Sequence, residues 1–279
     1  MNETIIQFGE NRDLAGIVTK PDSGEQSDTS ILLLNAGLIH RVGFNRFNTD
    51  FARVLVNDGY PSLRFDLHGI GDSEKFNGET DYDLQSIIDI QYAISALLEN
   101  TGTNRCILIG LCSGADNAHI VALKDSRVCG IVFLDGYAYP TIGFYVHDYV
   151  KGIINPFKIL RFFYKTTRKL FKNKRIITYK ELYVRNFPSK KRIIPEIQSL
   201  IDRDIKLYYI YSGGMRVYYN SPDQFYAMFR KVKFKNNVSY TFFPDADHTY
   251  TSISMREELK NTIRTWILRT FDTPQQLNV

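Results

Sequence analysis

Three features that would place this 279-residue chain in a special class are missing from its sequence. No apolar run reaches about 18 residues, which excludes a transmembrane helix. Met1–Glu10 shows no charged stretch followed by an apolar one, so secretion is not expected. Internal repeats and low-complexity tracts are also missing. The length and the 44% hydrophobic content therefore predict one large α/β domain with a sizeable core.

Cysteine is scarce, and an odd number of three gives no disulfide framework in a chain of this length. Cys106 and Cys129 lie in strand-like runs and are expected to be ordinary core residues. A reduced, cytoplasmic setting is predicted, and in such a setting a free thiol can act as a nucleophile.

Cys112 has a distinctive setting, Gly110-Leu111-Cys112-Ser113-Gly114, between the apolar run Cys106–Ile109 and a helix-like segment. A strand that turns directly into a helix brings the residues two before and two after the turn together, so both must be small. A turn centred on Ser113 would put Leu111 in one of those positions. The pattern predicts a nucleophile elbow with Cys112 at its apex. A buried structural cysteine beside a glycine turn is the alternative.

Positive charge is concentrated in residues 151–192, which contain fourteen Lys/Arg and one acid, Glu181. The rest of the chain has more acids than bases, and this asymmetry indicates a partner or substrate. On a helical projection, residues 157–172 separate a basic face from an apolar face that includes Phe157, Leu160 and Tyr164, the predicted substrate contacts. The basic face is expected to meet an anionic membrane surface or an acidic partner such as an acyl-carrier protein, unless it faces water alone.

Short apolar runs alternate with helix-period runs, which is typical of a mostly parallel sheet flanked by helices. Eight strands are predicted: Thr4–Phe8, Leu14–Thr19, Ile31–Leu34, Ser62–Phe65, Cys106–Ile109, Gly130–Leu134, Lys206–Tyr211 and Val238–Phe243. The predicted helices are Arg46–Asp58, Asp83–Leu98, Gly114–Lys124, Pro222–Val232 (with Ser221 as its N-cap) and Arg256–Phe271. The sequence predicts an α/β core, 1–139 and 204–279, with a helical basic lid, 140–203, inserted after the sixth strand and above the nucleophile turn.

Two further motifs follow predicted strands. Arg64–Ser73 has the pattern R-x-D-x-x-G-x-G-x-S, and Asp247-His248-Thr249 precedes the last helix. With the elbow, these motifs resemble the α/β-hydrolase superfamily, in its lipase and serine-aminopeptidase-like branch, over nearly the whole chain. Asn35-Ala36-Gly37, His40–Gly43 and the Gly-Leu-Cys of the elbow are most similar to the exosortase A system-associated hydrolases, which are bacterial cytoplasmic proteins encoded near exopolysaccharide genes. The resemblance implies the α/β-hydrolase fold and a hydrolase.

A thiol attacks an acyl carbon as the thiolate, so it needs a base or a positive field. The amino end of the helix after Cys112 supplies a field, and His248 is the predicted base and, later, acid. His119 is expected on a helix face. His40 and His68 are expected on loops near the pocket mouth, and His40 is a predicted substrate contact together with Asn35.

Two backbone N–H groups are expected to hold the oxyanion. One belongs to Ser113, and the other to Gly37 or Leu38 in the loop after the third strand. The small Ala36 and Gly37 are expected to allow close backbone approach there. A tight βα turn without this role is the alternative.

The triad acid is where the chain departs from the family, because Tyr211–Arg216, after the seventh strand, contains no carboxylate. Asp135 ends the sixth strand, where some family members carry the acid, and it is the predicted acid here. Asp223 more simply complements a helix dipole. A dyad of Cys112 and His248 is the alternative, because a thiol depends less on a third group.

The sequence thus predicts a hydrolase that cleaves a carboxylic ester or thioester through an acyl-enzyme, with no metal or organic cofactor. Acyl transfer through the same intermediate, to a sugar hydroxyl or amine, is one alternative. A non-catalytic binding protein at the membrane surface is another, and it would place the chain beside the inner membrane. Nucleic acid is not an expected partner, because no binding module is present. The sequence does not specify the acyl group or the oligomeric state.

Overall fold

The structure is a computed structural model of the chain, and it describes residues 1–22, 25–75, 81–153 and 187–272. In this part of the chain eight strands form one sheet in the order β1-β2-β4-β3-β5-β6-β7-β8. β1 pairs antiparallel with β2, and β2 with β4, whereas all other neighbours are parallel. The strands are β1 Asn2–Phe8, β2 Leu14–Lys20, β3 Thr29–Leu33, β4 Ser62–Phe65, β5 Arg105–Leu111, β6 Val128–Leu134, β7 Lys206–Ser212 and β8 Val238–Phe243. Each lies within two residues of its predicted bounds.

Helices cover both faces of the sheet. They are α1 Phe47–Asn57, α2 Tyr82–Thr101, α3 Ser113–Lys124, α4 Ile142–Ile153, α5 Lys190–Asp202, α6 Gln224–Met228 and α7 Ile253–Phe271. The prediction of a helix over Pro222–Val232 is wrong in extent, and its N-cap is Asp223 rather than Ser221. The reason is the buried Gln224, whose side chain bonds the backbone of Asn220, Tyr218 and Tyr139 and so holds the preceding residues in a turn.

Alternate residues of the central strands build two separate cores. Leu32 of β3 packs in the cluster that α2, α3, α5 and α6 cover, whereas Ile31 and Leu33 pack in the cluster that α1 and α7 cover. This two-sided burial explains why the strands read as continuous apolar runs without a polar alternation. The sheet is therefore a rigid platform, and the loops at its carboxyl edge are free to carry chemistry.

Two helices border the predicted lid. α4 begins it, and α5 ends it by burying Ile193, Ile197 and Leu200 in the same core as α3. Residues 154–186, with the predicted substrate contacts Phe157, Leu160 and Tyr164, lie outside the described residues. The division into core and lid therefore stays a prediction.

Candidate active site

The turn between β5 and α3 places Cys112 alone between strand and helix. Its backbone has φ 57° and ψ −117°, a conformation that L-residues rarely adopt. A Cβ on Gly110 would lie 2.3 Å from the carbonyl carbon of Gly114, and one on Gly114 would lie 2.4 Å from the carbonyl oxygen of Asn35. Both glycines are therefore required by close backbone approach, and the turn has the strained geometry expected of an elbow.

The other two cysteines differ from Cys112 in their surroundings. Burial raises the pKa of Cys106 well above its ordinary value and raises the pKa of Cys129 to about 12. The thiol of Cys129 donates to the backbone carbonyl of Cys106 at 3.4 Å. Both therefore stay protonated near neutral pH, as core cysteines do.

His248 follows β8 and joins Cys112 to a buried carboxylate. Its Nδ1 lies 2.7 Å from Oδ2 of Asp135, and its ring is also hydrogen-bonded to the side chain of Cys112. These two bonds, Asp135 first, raise the pKa of His248 to about 10 against the opposing effect of burial. The imidazole is therefore protonated near neutral pH, and a cation beside a thiol favours the thiolate.

Asp135 lies just past β6, with its side chain fully buried and its backbone at φ 49°. It accepts hydrogen bonds from the backbone N–H of Ser212 at 2.7 Å and from the Ser212 hydroxyl at 2.6 Å. Of the acids weighed from the sequence, the structure brings Asp135 to His248 and leaves Asp223 exposed at the start of α6. Sequence reasoning missed Ser212, which is the last residue of β7, the strand beside β6, and carries no motif of its own.

The loop after β7, where the sequence resemblance implies an acid, contains two glycines. A Cβ on Gly214 would lie 2.2 Å from the backbone nitrogen of His248, and one on Gly213 would lie 2.0 Å from the carbonyl oxygen of Pro244. This loop therefore packs directly against the histidine loop. The carboxylate comes from β6 instead, one strand nearer the nucleophile.

The loop after β3 reaches the elbow through Gly37, whose backbone N–H donates to the hydroxyl of Ser113 at 2.8 Å. A tight turn, Ile39 N–H to Ala36 carbonyl at 3.0 Å, holds the loop. A Cβ on Gly37 would meet no described atom within 4 Å, and close approach of this backbone to an oxyanion stays a prediction. The positive φ of 54° independently favours glycine there.

The predicted oxyanion donors differ in their surroundings. Ser113 is the first residue of α3, so its N–H has no intrahelical acceptor. An oxyanion that takes the Gly37 N–H has to replace the Ser113 hydroxyl as its acceptor. The Leu38 side chain is 84% exposed, and it extends from the loop into solvent.

An ion pair that the sequence analysis did not foresee anchors this loop. Arg41 bonds the buried Asp66 through its backbone N–H, at 2.6 Å, and through its guanidinium, which also bonds Asp72. A Cβ on Gly71 would lie 2.2 Å from Oδ2 of Asp66, so the glycine of this motif makes room for the carboxylate. Asp66 and Gly71 both belong to the R-x-D-x-x-G-x-G-x-S pattern, so this motif could have pointed to the buried carboxylate.

The predicted substrate contacts outside the lid have different positions. Asn35 is 3% exposed and donates its amide to the carbonyl of Ile39 at 2.9 Å, so it shapes the loop. His40 is exposed. Substrate binding by either stays a prediction.

Two other histidines are more deeply buried than the sequence suggested. His68 is not at a pocket mouth but buried, with Nδ1 2.8 Å from Asp89. His119 does lie on α3, where it is buried, with Nε2 2.9 Å from Glu196 of α5.

Among the described residues, no cluster of three or more His, Cys, Asp or Glu side chains could hold a metal ion. None of the described helices is long and apolar enough to cross a bilayer.

Solved structures with the same architecture are numerous. An esterase from Pyrococcus furiosus superposes with a TM-score of 0.61 at 18% identity, covering 97% of this chain and 91% of that one. The chain has the α/β-hydrolase fold. An α/β serine hydrolase homologue from Coxiella burnetii (TM-score 0.56, 14% identity, 95% and 97% covered) and a lidless α/β serine hydrolase from Xanthomonas campestris (0.57, 12%, 98% and 95%) are also similar. No protein-family model matches the chain, and no curated protein matches it.

The α/β-hydrolase fold explains why residues far apart in sequence meet here. The four loops that carry Gly37, Cys112, Asp135 and His248 follow β3, β5, β6 and β8, and these strands all end at the carboxyl edge of the sheet. The arrangement provides a thiol, a charged imidazole bonded to a buried carboxylate, and backbone donors beside the thiol. These are the parts that acyl transfer to a nucleophile requires.

Proposed function

We propose that the protein hydrolyses a carboxylic ester or thioester through an acyl-enzyme on Cys112. One observation carries the proposal: the apex of the elbow is a thiol hydrogen-bonded to His248, which is bonded to the buried Asp135. The neighbours in structure are described as esterases and serine hydrolases, and they support an ester-acting enzyme without bearing on the cysteine.

The proposed reaction begins with the thiolate of Cys112 attacking the acyl carbon. The carbonyl oxygen becomes an oxyanion that accepts from the N–H groups of Ser113 and Gly37. His248, protonated at rest, gives its proton to the leaving alkoxide or thiolate as the acyl–oxygen or acyl–sulfur bond breaks. The neutral imidazole then takes a proton from water, which attacks the acyl-enzyme and releases the carboxylic acid. His248 is thereby protonated again and Cys112 returns to the thiolate.

The test is intact-mass spectrometry after incubation with short- and medium-chain acyl thioesters. Wild-type protein is expected to gain the mass of the acyl group, and Cys112→Ala is expected to gain none and to lose turnover by roughly 10³-fold or more. Cys129→Ala is the matched control and is expected to acylate like wild type. Acylation that persists in Cys112→Ala would contradict the assignment of the nucleophile.

Several finer features belong to the same proposal. The motif residues Asn35–Gly37 and His40–Gly43 support kinship with the exosortase A system-associated hydrolases and a cytoplasmic setting. The basic segment 151–192 supports an acyl-carrier or membrane-bound substrate, although most of it lies outside the described residues. Adding sugar or amine acceptors and analysing the products separates hydrolysis from acyl transfer.

A further inference from the structure

A basic groove runs between α5 and the segment 227–235 on the helical layer that flanks β7. It consists of two contiguous depressions of about 370 and 390 Å³ that share Ile194, Pro195 and Lys231. Its rims carry six cations: Lys190, Lys191, Arg230, Lys231, Lys233 and Lys235. Only the first two belong to the basic segment noted in the sequence. The groove therefore joins two cationic stretches that are distant along the chain.

The described residues compensate little of the positive charge of the basic groove. Among those that line it, the one acid is Asp202, which bonds Nζ of Lys235 at 2.9 Å. Among the described residues, no carboxylate lies within 4.0 Å of the side-chain nitrogens of Lys190, Lys191, Arg230 or Lys231. Burial is the main cause of the lowered pKa of Lys190, and the nearby Arg230 adds to it, so these two cations repel each other. An anionic partner would relieve that repulsion.

The shape of the basic groove favours one class of partner. Its apolar lining residues are Ile194, Pro195, Ala227 and Met228, which we call its floor, and the groove follows one face of the 13-residue helix α5. Such a helix is about 20 Å long, which is the length of about three and a half turns of a second helix. A flat bilayer would contact the rims of this concave surface but not its floor. An amphipathic helix fills both, with its apolar face down and carboxylates toward the two rims.

We propose that the basic groove binds an acidic amphipathic helix of a partner protein. This proposal does not depend on the chemistry of Cys112, since none of that residue's partners lines the groove. The helix docks along α5, and its carboxylates pair with the cations of both rims. A carrier that presents an acyl group would be one such partner.

The test measures binding of a fluorescein-labelled peptide of about 14 residues, helical, with leucines on one face and glutamates elsewhere. The wild-type chain and Cys112→Ala are expected to bind it equally, and more weakly as salt rises. Arg230→Glu with Lys231→Glu is expected to weaken binding roughly tenfold or more. Arg12→Glu with Lys75→Glu makes the same change of charge near the other edge of the sheet and is expected to have little effect.

A second variant separates the groove from simple charge attraction. Ala227→Arg adds a cation but fills the floor, so the peptide is expected to bind more weakly although the positive charge increases. Binding of the same variants to vesicles of phosphatidylcholine and phosphatidylglycerol tests lipid as the alternative partner. Peptide binding that is missing, or unchanged in both groove variants, overturns the proposal. Vesicle binding that the charge reversal abolishes while the peptide binds unchanged assigns the cations to lipid and overturns it as well.

Discussion

At the scale of single residues, the surroundings of His248 change its protonation state at neutral pH. Its hydrogen bond to Asp135 is the first cause of a pKa near 10, and the bond to Cys112 is the second. A histidine with an ordinary pKa of about 6.5 would be mostly neutral at pH 7.5. The resting imidazole is therefore protonated, and it lies between the side chain of Cys112 and a carboxylate that solvent does not reach.

Asp135→Asn tests that assignment through the pH dependence of kcat/KM. Because the imidazolium must still carry its proton to release the leaving group, activity is expected to fall as pH rises through about 10. The substitution removes the main cause of the raised pKa, so this alkaline limb is expected to move to lower pH. Asp223→Asn is the control, since it changes the other candidate acid. A limb that stays in place in Asp135→Asn would contradict the role of Asp135.

At the scale of elements, two loops position the groups around Cys112. The glycine loop after β7 packs against the backbone of His248, and Arg41 anchors the loop after β3 to Asp66. Neither loop contributes a charge to the reaction. Each decides instead where a reacting group lies, and rates fall steeply when such geometry is disturbed.

Gly214→Ala is expected to lower kcat on the order of a hundredfold without altering any reacting side chain. Its Cβ would lie 2.2 Å from the backbone of His248, so the histidine loop has to shift. Gly143→Ala is a matched control on α4, where the nearest atom, Oγ1 of Thr141, would lie 3.7 Å away. Steady-state kinetics and thermal unfolding on both variants check this. Equal kcat values in the two would show that the loop does not position His248.

Arg41→Ala is expected to lower the free energy of unfolding by about 1.5–3 kcal/mol, because it removes charged hydrogen bonds to the fully buried Asp66. Arg53→Ala removes a more exposed pair with Glu3, at 3.0 Å, and is expected to cost less than about 1 kcal/mol. Urea unfolding compares the two. Similar losses would mean that Asp66 does not depend on the guanidinium.

At the scale of the whole molecule, His119 joins the nucleophile helix α3 to α5 across the core. It is buried, paired with Glu196, and packed edge-on against the ring of Tyr137. Burial lowers the pKa of His119 below its ordinary value. The unfolded chain therefore binds this proton more readily than the folded one, and folding favours neutral His119.

Because the pKa of His119 is lowered in the folded state, acid is expected to destabilise the protein through this residue. Stability from His119 is present above its unfolded pKa of about 6.5 and is lost as pH falls through the lower, folded value. Urea unfolding at pH 7 and pH 5 is expected to show a smaller acid-induced loss in His119→Gln than in wild type. His40→Gln, which changes an exposed histidine, is expected to behave like wild type. An identical acid loss in His119→Gln would contradict the interpretation.

Much of the fold could be predicted from the sequence because local patterns and long-range packing agree. The apolar runs predicted all eight strands, and the glycines two positions on either side of Cys112 indicated the elbow. The extent of α6 could not be predicted, since it depends in part on Gln224 bonding the carbonyl of Tyr139, 85 residues away. The burial of His68 and His119 also depends on carboxylates that come from other elements.

Spacing along the chain was enough to predict the succession of strands and helices and the elbow, and to indicate Cys112 and His248 as candidates. Which carboxylate meets His248 was visible only in the folded structure, since Asp135 and His248 are 113 residues apart in the chain. The anchoring of the loop after β3 by Arg41 and the joining of two cationic stretches in the basic groove are likewise tertiary. Contacts between segments that are distant in the chain depend on packing, and spacing within one segment does not predict them.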